Sequence, residues 1–177
     1  MRIKSGEWGE HMTDRQITCC FTGHRSSKLP WRGNERDPRC LRLKNDIANA
    51  VRAVYESGFR HFICGMALGC DTFFAEAVID LRLDFPDITL EAAIPCEGQD
   101  KSWDSGDKAR YDRILASCDE ITLVSRSYSP GCMQRRNEYM VSRSSLVIAV
   151  FNGSSGGTFN TLRSACQNGL EIIEIEP

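Results

Sequence analysis

A chain of 177 residues suits one domain with a sizeable core rather than two. Hydrophobic residues make up 41% and charged residues 26%, the balance of a soluble globular domain, and a net charge of −2 excludes an overall basic field for bulk nucleic-acid or membrane binding. No apolar run approaches the ~18 residues of a membrane span, and the N-terminus has no apolar signal core.

Nine cysteines is an odd number, and none falls in a C-x-x-C pair. Cys19, Cys64 and Cys70 lie in or beside apolar runs, where a thiol is a small hydrophobe. This usage points to a reducing cytoplasm, with no disulfide framework and no zinc or other metal site.

In chain order, residues 1–14, MRIKSGEWGEHMTD, are polar and without periodicity, and are expected to be a flexible leader. Residues 15–177 are expected to form the single domain. Residues 17–21 predict a first strand ending in Thr22-Gly23-His24-Arg25, followed by a polar, basic loop. Asp37 before Pro38 reads as an N-cap and first turn. The helix it opens carries Cys40, Leu43, Ile47, Val51 and Val54 on one face, and Gly58 stops it.

Residues 61–81, HFICGMALGCDTFFAEAVIDL, read as strand, glycine turn and helix. Gly65 and Gly69 lack a Cβ and would let a ligand approach the backbone. The helix start beyond them favours an anion. Asp71 can cap that helix or accept hydrogen bonds from a sugar hydroxyl. The turn is neither a G-x-G-x-x-G fingerprint nor a Walker loop, and a plain βα turn explains the same pattern.

A third strand is expected over residues 88–94, stopped by Pro95, then a polar loop with Gln99 and Trp103 and a helix with Tyr111, Ile114 and Leu115. A fourth strand over 120–124 leads to the loop 128–131 and a basic helix holding Arg135, Arg136 and Asn137. Residues 146–151 form a continuous apolar run, the pattern of a strand buried on both faces. The loop 152–158, a helix stopped by Gly169 and a strand over 171–175 complete the chain.

Six strands alternating with five helices predict an α/β, Rossmann-like, doubly wound and mostly parallel sheet with helices on both faces. Ligands of such sheets bind beyond the C-terminal strand ends, near the point where strand order reverses. The loops at 23–25, 65–71, 95–99 and 153–158 all follow strands, so they converge on one rim. Gly153–Thr158, with Gly156 and Gly157, forms a second glycine loop at a helix start, where Thr158 can cap or bond a phosphate oxygen; two flexible turns are the plain alternative. Arg25 and the Arg135/Arg136 pair offer planar charged forks for phosphate. His24 could stack on a base, donate to a phosphate, act as acid or base, or be a hydrogen-bonded structural residue. Glu76 could reach the rim or lie on a solvated face. No catalytic set and no cofactor motif is readable.

Four segments carry a resemblance: CCFTGHR at 19–25, GMALGCDTFFAE at 65–76, RRNEYMV at 135–141 and SLVIAVFNGSSGGTFNTLRSA at 145–165. Together they resemble the SLOG superfamily, in particular its YpsA/YoqJ-like branch, Rossmann-like relatives of the DprA (SMF) and LOG proteins. The resemblance spans nearly all of residues 15–177. It implies a site for a nucleotide-derived ligand, such as an ADP-ribose or NAD derivative, built from Gly23, His24, Arg25, Gly65, Met66, Gly69, Asp71, Arg136, Asn137, Gly156, Gly157, Thr158 and Asn160. Some SLOG domains recognise cyclic ADP-ribose-type signals in antiphage systems, so a sensor or a phage-side sponge is implied. A homo-oligomer is implied too.

LOG relatives hydrolyse nucleoside monophosphates with a Pro-Gly-Gly-x-Gly-Thr motif, an acidic pair and an upstream arginine. Arg136 and Gly157-Thr158 match parts of that pattern, but Asn160 and Thr161 stand at the acidic positions and no proline precedes the glycines. A ribosyl oxocarbenium-like transition state needs a carboxylate. The departure favours binding over LOG-type hydrolysis. An N-glycosidase using Asp71 or Glu76 is the alternative, and a DprA-like nucleic-acid partner is disfavoured by the pI of 5.9.

Overall fold

The computed structural model describes residues 14–177. The expected leader lies outside the described residues except for Asp14, which opens a 3-10 turn, Asp14–Ile17. Arg15 ties that turn to the domain, its Nε donating to the Ser144 carbonyl at 2.9 Å.

The strands are β1 (Thr18–Thr22), β2 (His61–Cys64), β3 (Thr89–Ile94), β4 (Glu120–Leu123), β5 (Leu146–Val150) and β6 (Glu171–Ile175). The helices are α1 (Pro38–Glu56), α2 (Cys70–Asp84), α3 (Ser105–Ala116), α4 (Cys132–Arg143) and α5 (Gly157–Gln167). The sheet order is β4-β3-β2-β1-β5-β6, and every pairing is parallel. This is the doubly wound α/β architecture expected from the alternation of elements, with parallel pairing throughout.

Side-chain alternation along the strands builds two cores. Cys19, Phe21, Phe62, Leu90, Leu146 and Ile148 join α1, α2 and α3 on one face. Cys20, Ile63, Ala93, Val147 and Ala149 join α4 and α5 on the other. The run at β5 is wholly buried because both of its faces are covered. Local rules set the helix ends: Asp37 caps α1 by accepting from the Arg39 N–H at 2.9 Å, with Pro38 in the first turn.

Each βα unit after β1 adds a strand on one side as far as β4. Helix α4 then carries the chain back to β5, on the other side of β1. Strand order reverses between β1 and β5, and the loops leaving those strands part there.

Helix α4 is pinned to the sheet by a buried carboxylate. Glu91, 1% exposed on β3, accepts from Tyr139 Oη of α4 at 2.7 Å and lies 3.0 Å from His61 Nε2 on β2. Burial pushes the Glu91 carboxyl up, but hydrogen bonds from His61, Tyr139 and Thr122 outweigh it and hold the pKa below the ordinary value. A depressed carboxyl pKa stabilises the fold above the unfolded value and loses that contribution as pH falls through the folded one. Glu91→Gln is therefore expected to cost about 1–3 kcal/mol at pH 7, the range for disrupting buried hydrogen bonding. Urea midpoints of wild type and variant should converge below pH ~4.3, the unperturbed glutamate value. A gap that persists undiminished in acid would show that the charge is not what matters.

Candidate ligand-binding site

At the reversal point lies a cavity of about 160 Å³. The end of β1 supplies Thr22, and the loop beyond it supplies Gly23, His24, Arg25 and Lys28. Helix α4 contributes Met133, Arg136, Asn137 and Met140, α2 contributes Asp71, and the first turn of α5 contributes Gly157 and Thr158. Three cations against one carboxylate give the lining a positive balance.

Arg136 forms the back of the cavity. It is 6% exposed, its Nε donates to Asn137 Oδ1 at 2.8 Å, and its Nη1 donates to the Gly65 carbonyl. No described hydrogen bond engages Nη2. Asp71, also 6% exposed, has its Oδ2 held by the Ala67 N–H at 3.0 Å. Burial pushes the Asp71 carboxyl up, opposed by Arg136, the Ala67 N–H and Arg25. Burial likewise pulls the Arg136 pKa down, opposed by Asp71. A guanidinium keeps its proton even so, and this pair is the electrostatic centre of the site.

Gly65 exists to admit that guanidinium. A Cβ there would lie 2.5 Å from Arg136 Cζ and 3.0 Å from Asp71 Oδ2. Met66 follows with φ +56, a left-handed conformation that turns the backbone so that the Ala67 N–H meets Asp71.

His24 is 3% exposed and lines the cavity, and its Nε2 is buried without a hydrogen-bond partner. Burial, reinforced by the charge of Lys28, pulls its pKa below the ordinary value, partly opposed by a hydrogen bond with Asn152. The imidazole is thus neutral at pH 7 and offers one uncommitted nitrogen to an occupant. No side chain caps α5, so its first-turn N–H groups have no partner within the helix. Gly157 has open space around it, and Lys28 reaches the same turn, its Nζ 3.4 Å from the Ser155 carbonyl. Arg25 is exposed at the mouth.

Gly65, Met66, Gly69, Gly156 and Asn160 do not line this cavity. The first glycine turn, expected as a phosphate cradle, is filled by the protein itself. Gly69 has φ +99, and a Cβ there would meet the Ser26 amide nitrogen at 2.6 Å and the His24 carbonyl at 2.8 Å. The Cys70 N–H at the start of α2 already donates to that carbonyl at 3.1 Å. Nor does Asp71 cap α2: the N-cap is Gly69. Arg135 is exposed and donates to the Pro130 carbonyl, so the expected arginine pair divides between surface and core. Lys28, Ala67, Met133 and Met140 were not anticipated. Met133 and Met140 stand one helical turn either side of Arg136, a spacing that carried the signal.

Residues 19–172 match the YspA SLOG family. The chain belongs to that family. Among its SLOG relatives, the SPbeta prophage-derived protein YoqJ of Bacillus subtilis is 35% identical over 158 residues, covering 80% of this chain and 92% of that one. YpsA of B. subtilis is 27% identical over 118 residues, 66% of each chain. DNA processing protein A of Helicobacter pylori, described by its single-stranded DNA binding mode, superposes with a TM-score of 0.60 at 16% identity, over 91% of this chain and 66% of that one. That likeness is one of fold.

Within this SLOG domain the candidate carboxylates part company. Glu76, offered as a possible catalytic group, faces α3 and accepts from Arg110 Nε at 2.7 Å, away from the cavity. Thr161 is fully buried, its hydroxyl donating to the Gly157 carbonyl at 2.9 Å. Asp71 is the carboxylate that remains on the lining among the described residues.

Proposed function

We propose that this SLOG protein binds a phosphate-bearing, nucleotide-derived small molecule of the ADP-ribose or NAD-derivative kind at the β1–β5 crevice, as a sensor or sequestering protein. The observation that carries the reading is the buried, unpartnered His24 Nε2 in a positively balanced cavity beside the uncapped start of α5. An anion there meets helix N–H groups, Arg25, Lys28 and the Arg136 edge together. A homo-oligomer belongs to the same proposal.

Calorimetry tests it. ADP-ribose should bind measurably better than adenosine or ribose, and Arg25→Ala should weaken it by about 1.5–3 kcal/mol, the range for hydrogen bonds to a charged group. Arg25 is exposed, so circular dichroism should not change. Equal binding of the phosphate-free compounds would remove the phosphate from the reading.

A second reading rests on Asp71. Its carboxylate lines the same cavity, which suits cleavage of a ribosyl bond. A nucleic-acid partner, suggested by the fold neighbour, ranks below both, because a net charge of −2 supplies little counterion release.

No described helix is long and apolar enough to cross a membrane. All nine cysteines are free thiols.

A further inference from the structure

The inner cavity is too small for a whole nucleotide. Its 160 Å³ falls below the roughly 300–1,000 Å³ usual for ligand pockets. A second cavity of about 490 Å³ opens beside it, and Arg25, Ala67 and Met133 line both. The outer cavity is built from the loops after β3 and β4, which the sequence marked with Gln99, Trp103 and the 128–131 turn and which the inner site leaves unused.

The two cavities differ in chemistry. The inner one presents Arg136, Lys28, a helix N-terminus and a neutral imidazole. The outer one presents planar and soft faces, Tyr128, Trp103 and Met133, interleaved with Glu97, Lys101 and Ser102. Trp103 is braced edge-on against Tyr111, ring centroids 5.2 Å apart. Tyr128 is 74% exposed and enters no described ring contact. An unstacked aromatic face beside hydrogen-bonding side chains suits a nucleobase and its ribose. Gln99 is already spent: its Nε2 donates to the Met66 carbonyl at 2.9 Å, fixing the wall between the cavities.

We propose that the site is bipartite, with the phosphate end of a nucleotide in the inner cavity and its nucleoside end in the outer cavity against Tyr128, Arg25 bridging the junction. This rests on the ligand class proposed above and adds the direction in which that ligand lies. It makes the outer loops the determinants of which nucleotide is chosen.

Calorimetry with ADP-ribose, AMP and inorganic pyrophosphate separates the two claims. Tyr128→Ala should weaken AMP and ADP-ribose about tenfold and leave pyrophosphate unchanged, and Tyr128→Phe, which keeps the ring, should restore nucleotide affinity. If Tyr128→Ala leaves both nucleotides within twofold of wild type, or weakens pyrophosphate as much as AMP, the bipartite assignment falls while the phosphate site stands. If wild type binds none of the three, the ligand class itself is wrong and the assignment goes with it.

Discussion

Arg136→Ala is expected to destabilise the folded protein by about 1–3 kcal/mol at pH 7, the range for leaving buried polar groups without their hydrogen-bond partner. Two neighbours lose their match at once. Asp71 remains buried with only the Ala67 N–H and Arg25 left to oppose its burial, and the Gly65 carbonyl loses its donor. The pH dependence gives the test its sign. Burial already holds the Asp71 carboxyl above its ordinary pKa with Arg136 present, and without that opposing charge it rises further. A carboxyl raised by folding penalises the ionised native state at higher pH, and the penalty vanishes once pH drops below the unfolded value of ~3.9. Urea midpoints should therefore show the defect of Arg136→Ala shrinking as pH falls from 7 toward 4. Asp71→Asn placed on top of Arg136→Ala should recover part of the loss at pH 7, because an amide leaves no buried charge. A defect below about 1 kcal/mol, or one unchanged across that pH range, would mean that the pair does not organise the site.

Incubation with AMP or other nucleoside monophosphates is expected to release no free base above background. A ribosyl oxocarbenium-like transition state draws several kcal/mol from a facing carboxylate, and each ~1.4 kcal/mol is tenfold in rate. Of the two residues that the LOG resemblance sets at acidic positions, Asn160 is absent from the cavity lining, and the Thr161 hydroxyl is spent on the Gly157 carbonyl. Glu76 is held by Arg110 on the far side of α2. Asp71 alone among these reaches the cavity, and its Oδ2 already accepts from Ala67 while its charge serves Arg136. Chromatography of wild type, Asp71→Asn and Glu76→Gln decides the matter. Turnover in wild type that disappears in Asp71→Asn would make this SLOG protein a hydrolase and displace the binding proposal. Loss of turnover in Glu76→Gln would instead require α2 and α3 to rearrange, since the Arg110 pair directs Glu76 away from the site.

The sequence by itself determined the elements and their layering. Strand alternation, the Asp37-Pro38 cap, glycine stops at Gly58 and Gly169 and the apolar run at β5 are local signals, written within one turn or one strand of the residues they shape. Placing the unusual loops on one rim also needed nothing beyond the order of strands and helices. The tertiary structure alone decided what each loop does there. Gly65 and Gly69 carry the same signature as Gly156 and Gly157, yet the first pair is packed against Arg136 and the His24 carbonyl, whereas Gly157 faces open space. Nothing near Gly65 in the chain announces a guanidinium 71 residues away. Arg135 and Arg136 are likewise adjacent in sequence and opposite in fate, because successive residues of a helix point about 100° apart and only one can face the sheet. Local propensity is written locally, but whether a glycine cradles a ligand or a neighbouring side chain depends on which distant group arrives first, and that is settled only when the helices close over the sheet.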